Sequence, residues 1–194
     1  MVPIYKVTTR HTRQVLKDFI KFTYRVKNPS ATIRLYTLAG CFFVLAAAVK
    51  DFKIQMTVFA VIGIIIFLFT LLRPEIAFSK LAKNDPNYAQ QSEILFNFDM
   101  GGFVIENKAI TSEQKVKYSH ITDFYRDTRN YYISVNNEEI HILPYSDFKL
   151  GNEKDFAAFI KARTNKDVFE LKVSLKEKMK RLRVDMKLAE QQHD

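Results

Sequence analysis

Two apolar runs, separated by only four residues, dominate what this chain can fold into. Ile33–Val49 reads IRLYTLAGCFFVLAAAV with one charge, Arg34, at its edge, and Ile54–Leu72 reads IQMTVFAVIGIIIFLFTLL with none. At about 1.5 Å per helical residue they reach about 25 and about 28 Å, close to the ~30 Å hydrocarbon core of a bilayer. Neither run carries a polar stripe at helical period, so each helix would be apolar on every side. A chain of 194 residues has too few other apolar segments to bury such a pair in a soluble core. The reading is a transmembrane helical hairpin with Lys50-Asp51-Phe52-Lys53 as its loop, where the two lysines can snorkel to the far interface.

The formal charge is +9, and its position matters more than its size. Residues 1–34 hold eight Lys/Arg against one acid, Asp18, whereas residues 92–165 hold nine bases against eleven acids. An excess gathered just before a membrane span follows the positive-inside rule and argues against nucleic acid as the partner. The candidate membrane-interface residues are Lys21, Arg25, Lys27, Arg34 and Arg73. They outweigh the loop lysines, so both termini are expected on the cytoplasmic side of a cell membrane. No cleavable leader precedes the hairpin, and the first span should act as the insertion signal. The single cysteine, Cys41, falls within that span and reads as a small apolar residue.

Around the hairpin the chain divides into 1–29, 30–91, 92–165 and 166–194. Ile4–Val7 can form a short strand, and Thr8 or Thr9 can cap a helix running to about Lys27. Val15, Phe19, Phe22 and Val26 would form its apolar face. Its basic remainder suits either the anionic inner leaflet or packing on the cytoplasmic domain. Arg73-Pro74 should mark the exit from the membrane, followed by a short helix broken near Asn84-Asp85-Pro86. From Glu93 the period changes to two: Ile94, Phe96 and Phe98 alternate with Leu95, Asn97 and Asp99, and Asp99-Met100-Gly101-Gly102 is a hairpin turn. Further strands are expected at Lys115–Tyr118, Ile121–Arg126, Tyr131–Val135 and Glu139–Leu143. In the last of these Ile140 and Ile142 should point one way and His141 the other. Asn152 then caps a helix with Phe156, Phe159 and Ile160 as its stripe. The fold class is α+β: a transmembrane hairpin, a small bent antiparallel sheet closed by one helix, and a C-terminal amphipathic helix.

Tyr118-Ser119-His120-Ile121, Asp123, Tyr131-Tyr132-Ile133, Ile142-Leu143-Pro144 and Asp147-Phe148 resemble the signature stretch of the bacterial YcxB-like family. The resemblance runs over about residues 4–165. It implies an N-terminal segment, two closely spaced transmembrane helices and a cytoplasmic domain similar to the pleckstrin-homology fold. Tryptophan often stands in that family where this chain has Tyr118. The family implies no assigned biochemical role.

In the tail, Val168, Leu171, Leu175, Met179, Leu182, Met186 and Ala189 recur close to a heptad, flanked by lysines and arginines. Leu171, Leu175, Met179, Leu182 and Met186 are the candidate partner-binding seam, for another protein or a second copy, with a basic helix on the membrane as the competing reading. Nothing in the sequence carries catalysis. The four histidines, at 11, 120, 141 and 193, have no metal-ligand spacing, Gly101-Gly102 is not followed by a phosphate-loop Lys, and no serine lies in a nucleophile elbow. No enzyme activity, cofactor or metal is expected. The first β-hairpin carries an acid and no base, so specific phosphoinositide recognition there is not expected. The leading function is a non-enzymatic membrane protein presenting a protein-interaction module. The alternatives are immunity against a toxin or bacteriocin, and an oligomeric transport or pore component using Gly40, Ala46–Ala48 and Gly63 as close-packing positions.

Overall fold

A computed structural model describes residues 2–26 and 29–171. They form two compact units: a helical one over Arg10–Ser92, and a β unit made of the first nine residues together with the chain from Glu93 onward.

In the β unit the strands are β1 (Tyr5–Arg10), β2 (Glu93–Phe98), β3 (Gly102–Asn107), β4 (Ser112–Lys117), β5 (Ile121–Arg126), β6 (Asn130–Val135), β7 (Glu139–Pro144), β8 (Phe148–Leu150) and β9 (Phe169–Glu170). They build two sheets rather than one bent sheet, ordered β4-β3-β2-β1-β8 and β7-β6-β5-β9. β1–β8, β2–β3, β3–β4, β5–β6 and β6–β7 pair antiparallel, and β5–β9 pairs in parallel. The period-two reading of β2 and β3 holds: Ile94, Phe96, Phe98, Phe103 and Ile105 are all buried. In the turn between them Asp99 Oδ1 accepts from the amides of Gly101 and Gly102 at 2.7 and 2.9 Å. Gly102 is required by proximity, since a Cβ there would stand 2.4 Å from the Val116 carbonyl oxygen of β4.

One helix closes the two sheets. It is α5 (Glu153–Thr164), the fifth helix of the chain; Asn152 caps it by accepting from the Lys154 amide at 3.0 Å, and Asn165 ends it in the left-handed region. Its Phe156 is fully buried among the rings of Tyr5, Phe98, Phe124, Tyr131 and Phe148, with centroids 5.0–6.0 Å away. β1, β2, β5, β6, β8 and α5 thus meet at one side chain.

His141 lies on the opposite face of β7 from Ile140 and Ile142, as the alternation implies. It pairs with core residue Ile133, and its ring meets Phe96 edge-on at 5.6 Å. Ile142 pairs instead with Tyr132 on the other face. β6 is buried along its whole length, with apolar residues on both of its faces, so both faces of β7 adjoin buried neighbours.

The helical unit contains α1 (Arg13–Val26), α2 (Pro29–Ala48), α3 (Lys53–Asn84) and the single turn α4 (Pro86–Gln90). Both α2 and α3 are long and apolar enough to cross a membrane, and only 11% of each one's most apolar window is buried, unlike the core helix of a soluble protein. The hairpin closes on small residues: Ala39 and Ala46 are buried, and the Phe43 ring lies over Gly63, about 3 Å from where a Cβ would stand. Gly63 is therefore used within one chain, while Gly40 faces open space.

The helix expected after Arg73-Pro74 and its break near Asn84-Asp85-Pro86 are both present. That helix is continuous with the second apolar run, since α3 extends to Asn84 with Pro74 inside it, and α4 follows the break. Proline removes one amide donor and tends to kink a helix. The residues that follow are held by α1, whose Leu16 and Ile20 pack on Phe78 of α3. The face of α1 differs from the expected one, because Leu16, Ile20 and Phe22 are the buried apolar residues rather than the set Val15, Phe19, Phe22 and Val26. The seven apolar side chains form one broad face, wider than the four-residue stripe, and Leu16 and Ile20 lie on the flank that meets α3.

The tail expected as a helix from residue 166 begins otherwise. Phe169–Glu170 pairs in parallel with β5, and the Leu171 amide donates to the Arg126 carbonyl at 2.9 Å. The Tyr125 and Phe169 rings, 5.6 Å apart, and the Arg126–Glu170 ion pair favour extended backbone here. Residues 172–194 lie outside the described residues.

Replacing Phe156 by Ala should destabilise the β unit by about 3–5 kcal/mol, the cost of a large cavity in a fully buried aromatic site. Thermal unfolding of the purified full-length protein, followed by near-ultraviolet circular dichroism, reads this. A loss below about 1 kcal/mol would mean that the aromatic cluster does not hold the two sheets together.

Candidate interaction surfaces

The residues singled out from sequence come to lie as follows. Lys21 is exposed on α1 with its Nζ 3.9 Å from Asp18, and Arg25 is exposed in the last turn of that helix. Arg34 is exposed near the start of α2. Arg73 lies in α3 with its guanidinium carbon 4.7 Å from the centre of the Tyr24 ring. Lys27 lies outside the described residues. Of the seam, Leu171 is half-buried beside β5, while Leu175, Met179, Leu182 and Met186 lie outside the described residues.

α1 runs antiparallel to the part of α3 that continues past Pro74, which three polar connections show in order. His11, just before α1, meets Asp85, just after α3, with Nδ1 and Oδ2 2.5 Å apart. Lys17 Nζ donates to Glu75 Oε1 at 2.5 Å, and Tyr24 meets Arg73. Between them Arg13 and Lys17 both place their charges about 5.5 Å from the Phe78 ring centre, the distance of a cation–π contact. α1 is thus committed to α3, a partner that neither sequence reading named. No local sequence pattern announces such pairs, since their members are 49 to 74 positions apart.

Asp85 has two roles. Its Oδ1 accepts from the Asn87 amide at 2.9 Å and caps α4, while Oδ2 faces His11. The short helix then ends at Gln91 in the left-handed region, one residue before the β unit resumes.

On the β unit, β4 is an edge strand of its sheet, unpaired on its outer side among the described residues. Ser112, Glu113, Gln114, Lys115 and Lys117 are exposed and only Val116 turns into the core. One side chain reaches across to the other sheet, where Gln114 Nε2 donates to Glu139 Oε2 at 3.4 Å. Charged residues on an edge discourage indiscriminate strand pairing, yet the unpaired backbone stays available to a chosen strand.

Several polar side chains of the β unit hold its turns. Asp127 accepts from the amides of Arg129 and Asn130 and from the Tyr132 hydroxyl at 2.7 Å, organising the β5–β6 turn. The Tyr145 and Tyr118 hydroxyls donate to the carbonyls of Asp127 and Asp99. Burial raises both phenols above their ordinary range, so neither is poised to give up a proton near neutrality. Among the described residues no group of three His, Cys, Asp or Glu side chains could hold a metal ion.

Comparison with known proteins places part of this architecture. The family model described as YcxB-like protein matches residues 98–161, from the end of β2 into α5. This is the family that the Tyr118–Phe148 stretch resembles, and the matched region covers a third of the chain. No curated protein matches the chain.

Asp85→Ala should remove the cap of α4 and the His11 contact together, at a cost of about 1–3 kcal/mol. Hydrogen exchange in detergent micelles should then show faster exchange at the amides of Asn87–Gln91. Unchanged protection there would show that Asp85 does not hold this junction.

Proposed function

We propose that this YcxB-like chain is a non-enzymatic integral membrane protein of the cell membrane. Its α2–α3 hairpin anchors a pleckstrin-homology-like β unit on the cytoplasmic face, where that unit presents a surface to a protein partner. The observation that carries the anchoring is the order of the first sheet. β1 precedes the hairpin, β2 follows it, and the two are neighbours, joined by the Ile4 amide and the Phe98 carbonyl at 2.7 Å. Hydrogen-bonded strands must lie on one side of a membrane, so the segment between them crosses an even number of times. Two helices of adequate length supply the two crossings. The basic excess before α2 supports the cytoplasm as that side.

The interaction role is supported by the β4 edge and by the use of the polar clusters for turns and caps rather than for chemistry. The first β-hairpin spends its free amides on Asp99, which leaves a head-group phosphate little to bind there and supports a protein rather than a phosphoinositide as the β unit's partner. The heptad-like seam read from the sequence at Leu171, Leu175, Met179, Leu182 and Met186 is a second candidate surface for the same partner or for another copy.

Topology gives the direct test. In a Cys41→Ala background, Asp51→Cys should react with a membrane-impermeant maleimide in intact cells, and Ser146→Cys only after permeabilisation. Labelling of Ser146→Cys from outside would overturn the arrangement. For the partner, a photo-crosslinker at Lys115 should yield one dominant protein adduct in native membranes. Adducts no different from those of a crosslinker at exposed Ser146 would remove the β4 edge from consideration.

A further inference from the structure

We propose that Arg73 and Tyr24, with Lys21 beside them, form a binding site for the phosphodiester head group of an anionic phospholipid, on the helical unit and separate from any protein-binding edge. The inference rests on reading α2 and α3 as membrane-spanning, and names a ligand for the end of that span.

The argument begins with charge. The helical unit has four acids, Asp18, Asp51, Glu75 and Asp85. Asp51 is in the loop at the other end of the hairpin. Glu75 is taken by Lys17, Asp85 by His11 and the Asn87 amide, and Asp18 by Gln14 at 2.9 Å with Lys21 nearby. Among the described residues Arg73 has no carboxylate partner. Among them its Nη1 is closed off without a hydrogen-bond partner, and the guanidinium, fixed over the Tyr24 ring in a part-exposed side chain, would meet an anion with its remaining donors. A held, half-buried guanidinium is costly unless an anion completes it.

Position says which anion. Arg73 directly follows the apolar run Ile54–Leu72, at the depth where lipid phosphates begin. Guanidinium matches phosphate oxygens through paired donors, and a tyrosine ring at the interface can hold that fork in one orientation. Lys21 lies one helical turn before Tyr24 and is exposed, which adds a second cation on the same side of α1. A net-anionic lipid is favoured over a zwitterionic one because these cations would repel a choline or ethanolamine group close to its phosphate.

The test uses the full-length chain in nanodiscs of phosphatidylcholine with and without phosphatidylglycerol, followed by native mass spectrometry of the lipid retained after release. Wild type should keep phosphatidylglycerol preferentially. Arg73→Gln should lower that retention about tenfold, and Tyr24→Leu, which keeps the apolar bulk, should lower it less. Lys80→Gln makes the same change in charge two turns further along α3 and should have no effect. Equal retention by Arg73→Gln, or an equal loss in Lys80→Gln, overturns the site in favour of diffuse attraction. Thermal stabilisation in detergent by inorganic phosphate alone, matching that by phosphatidylglycerol, would assign the site to a soluble phosphate and overturn the lipid. A chain that does not enter the discs at all would overturn the membrane reading, and this site with it.

Discussion

The pairing of β1 with β2 is the constraint on which the other parts depend. The strand before the helical unit and the strand after it share one ladder, so eighty-odd residues must return the chain to its starting place. Everything in the helical unit is compatible with that demand. A tight loop at Lys50–Phe52 reverses direction, and α1 and the end of α3 run back along each other. His11 and Asp85 meet where the excursion begins and ends. The β unit answers with aromatic packing: Tyr5 of β1 is held by Phe148, Phe156 and Phe159, so the first strand is fixed by residues some 140 positions later.

Closure at β1 also explains a glycine that would otherwise be an ordinary loop residue. Gly151 follows β8 with φ at +85°, and a Cβ there would fall 2.2 Å from the Tyr5 ring. The backbone conformation and the space are both available to glycine alone. The turn that launches α5 and the strand that opens the chain are thereby fitted to each other.

Much of this was legible in the sequence where structure is local. The two apolar helices, the alternation of Ile94, Phe96 and Phe98, the Asp99–Gly102 turn and the Asn152 cap each announce themselves within a few residues. The parts missed depend on distant partners. Phe148–Leu150 and Phe169–Glu170 are too short to show a period, and become strands only because β1 and β5 offer them an edge. Which face of β7 meets the core cluster is hidden because Tyr131, Tyr132 and Ile133 of its neighbour β6 are bulky in succession and buried on both faces. The continuation of α3 past Pro74 depends on α1 packing alongside, which the proline itself argues against. Contacts such as Arg73 with Tyr24 need a register between two helices that composition does not set.

The insertion of the helical unit between β1 and β2 makes this a body that cannot be shed. A protease cutting anywhere in the segment after α3 would release a fragment lacking its first strand, with β2 and β8 exposing raw ladder edges and Phe156 stripped of one aromatic neighbour. Such a fragment would clump or be degraded rather than diffuse away as a messenger. Any role of the β unit that needs its first strand is exercised with the helical unit still joined to it through both connections.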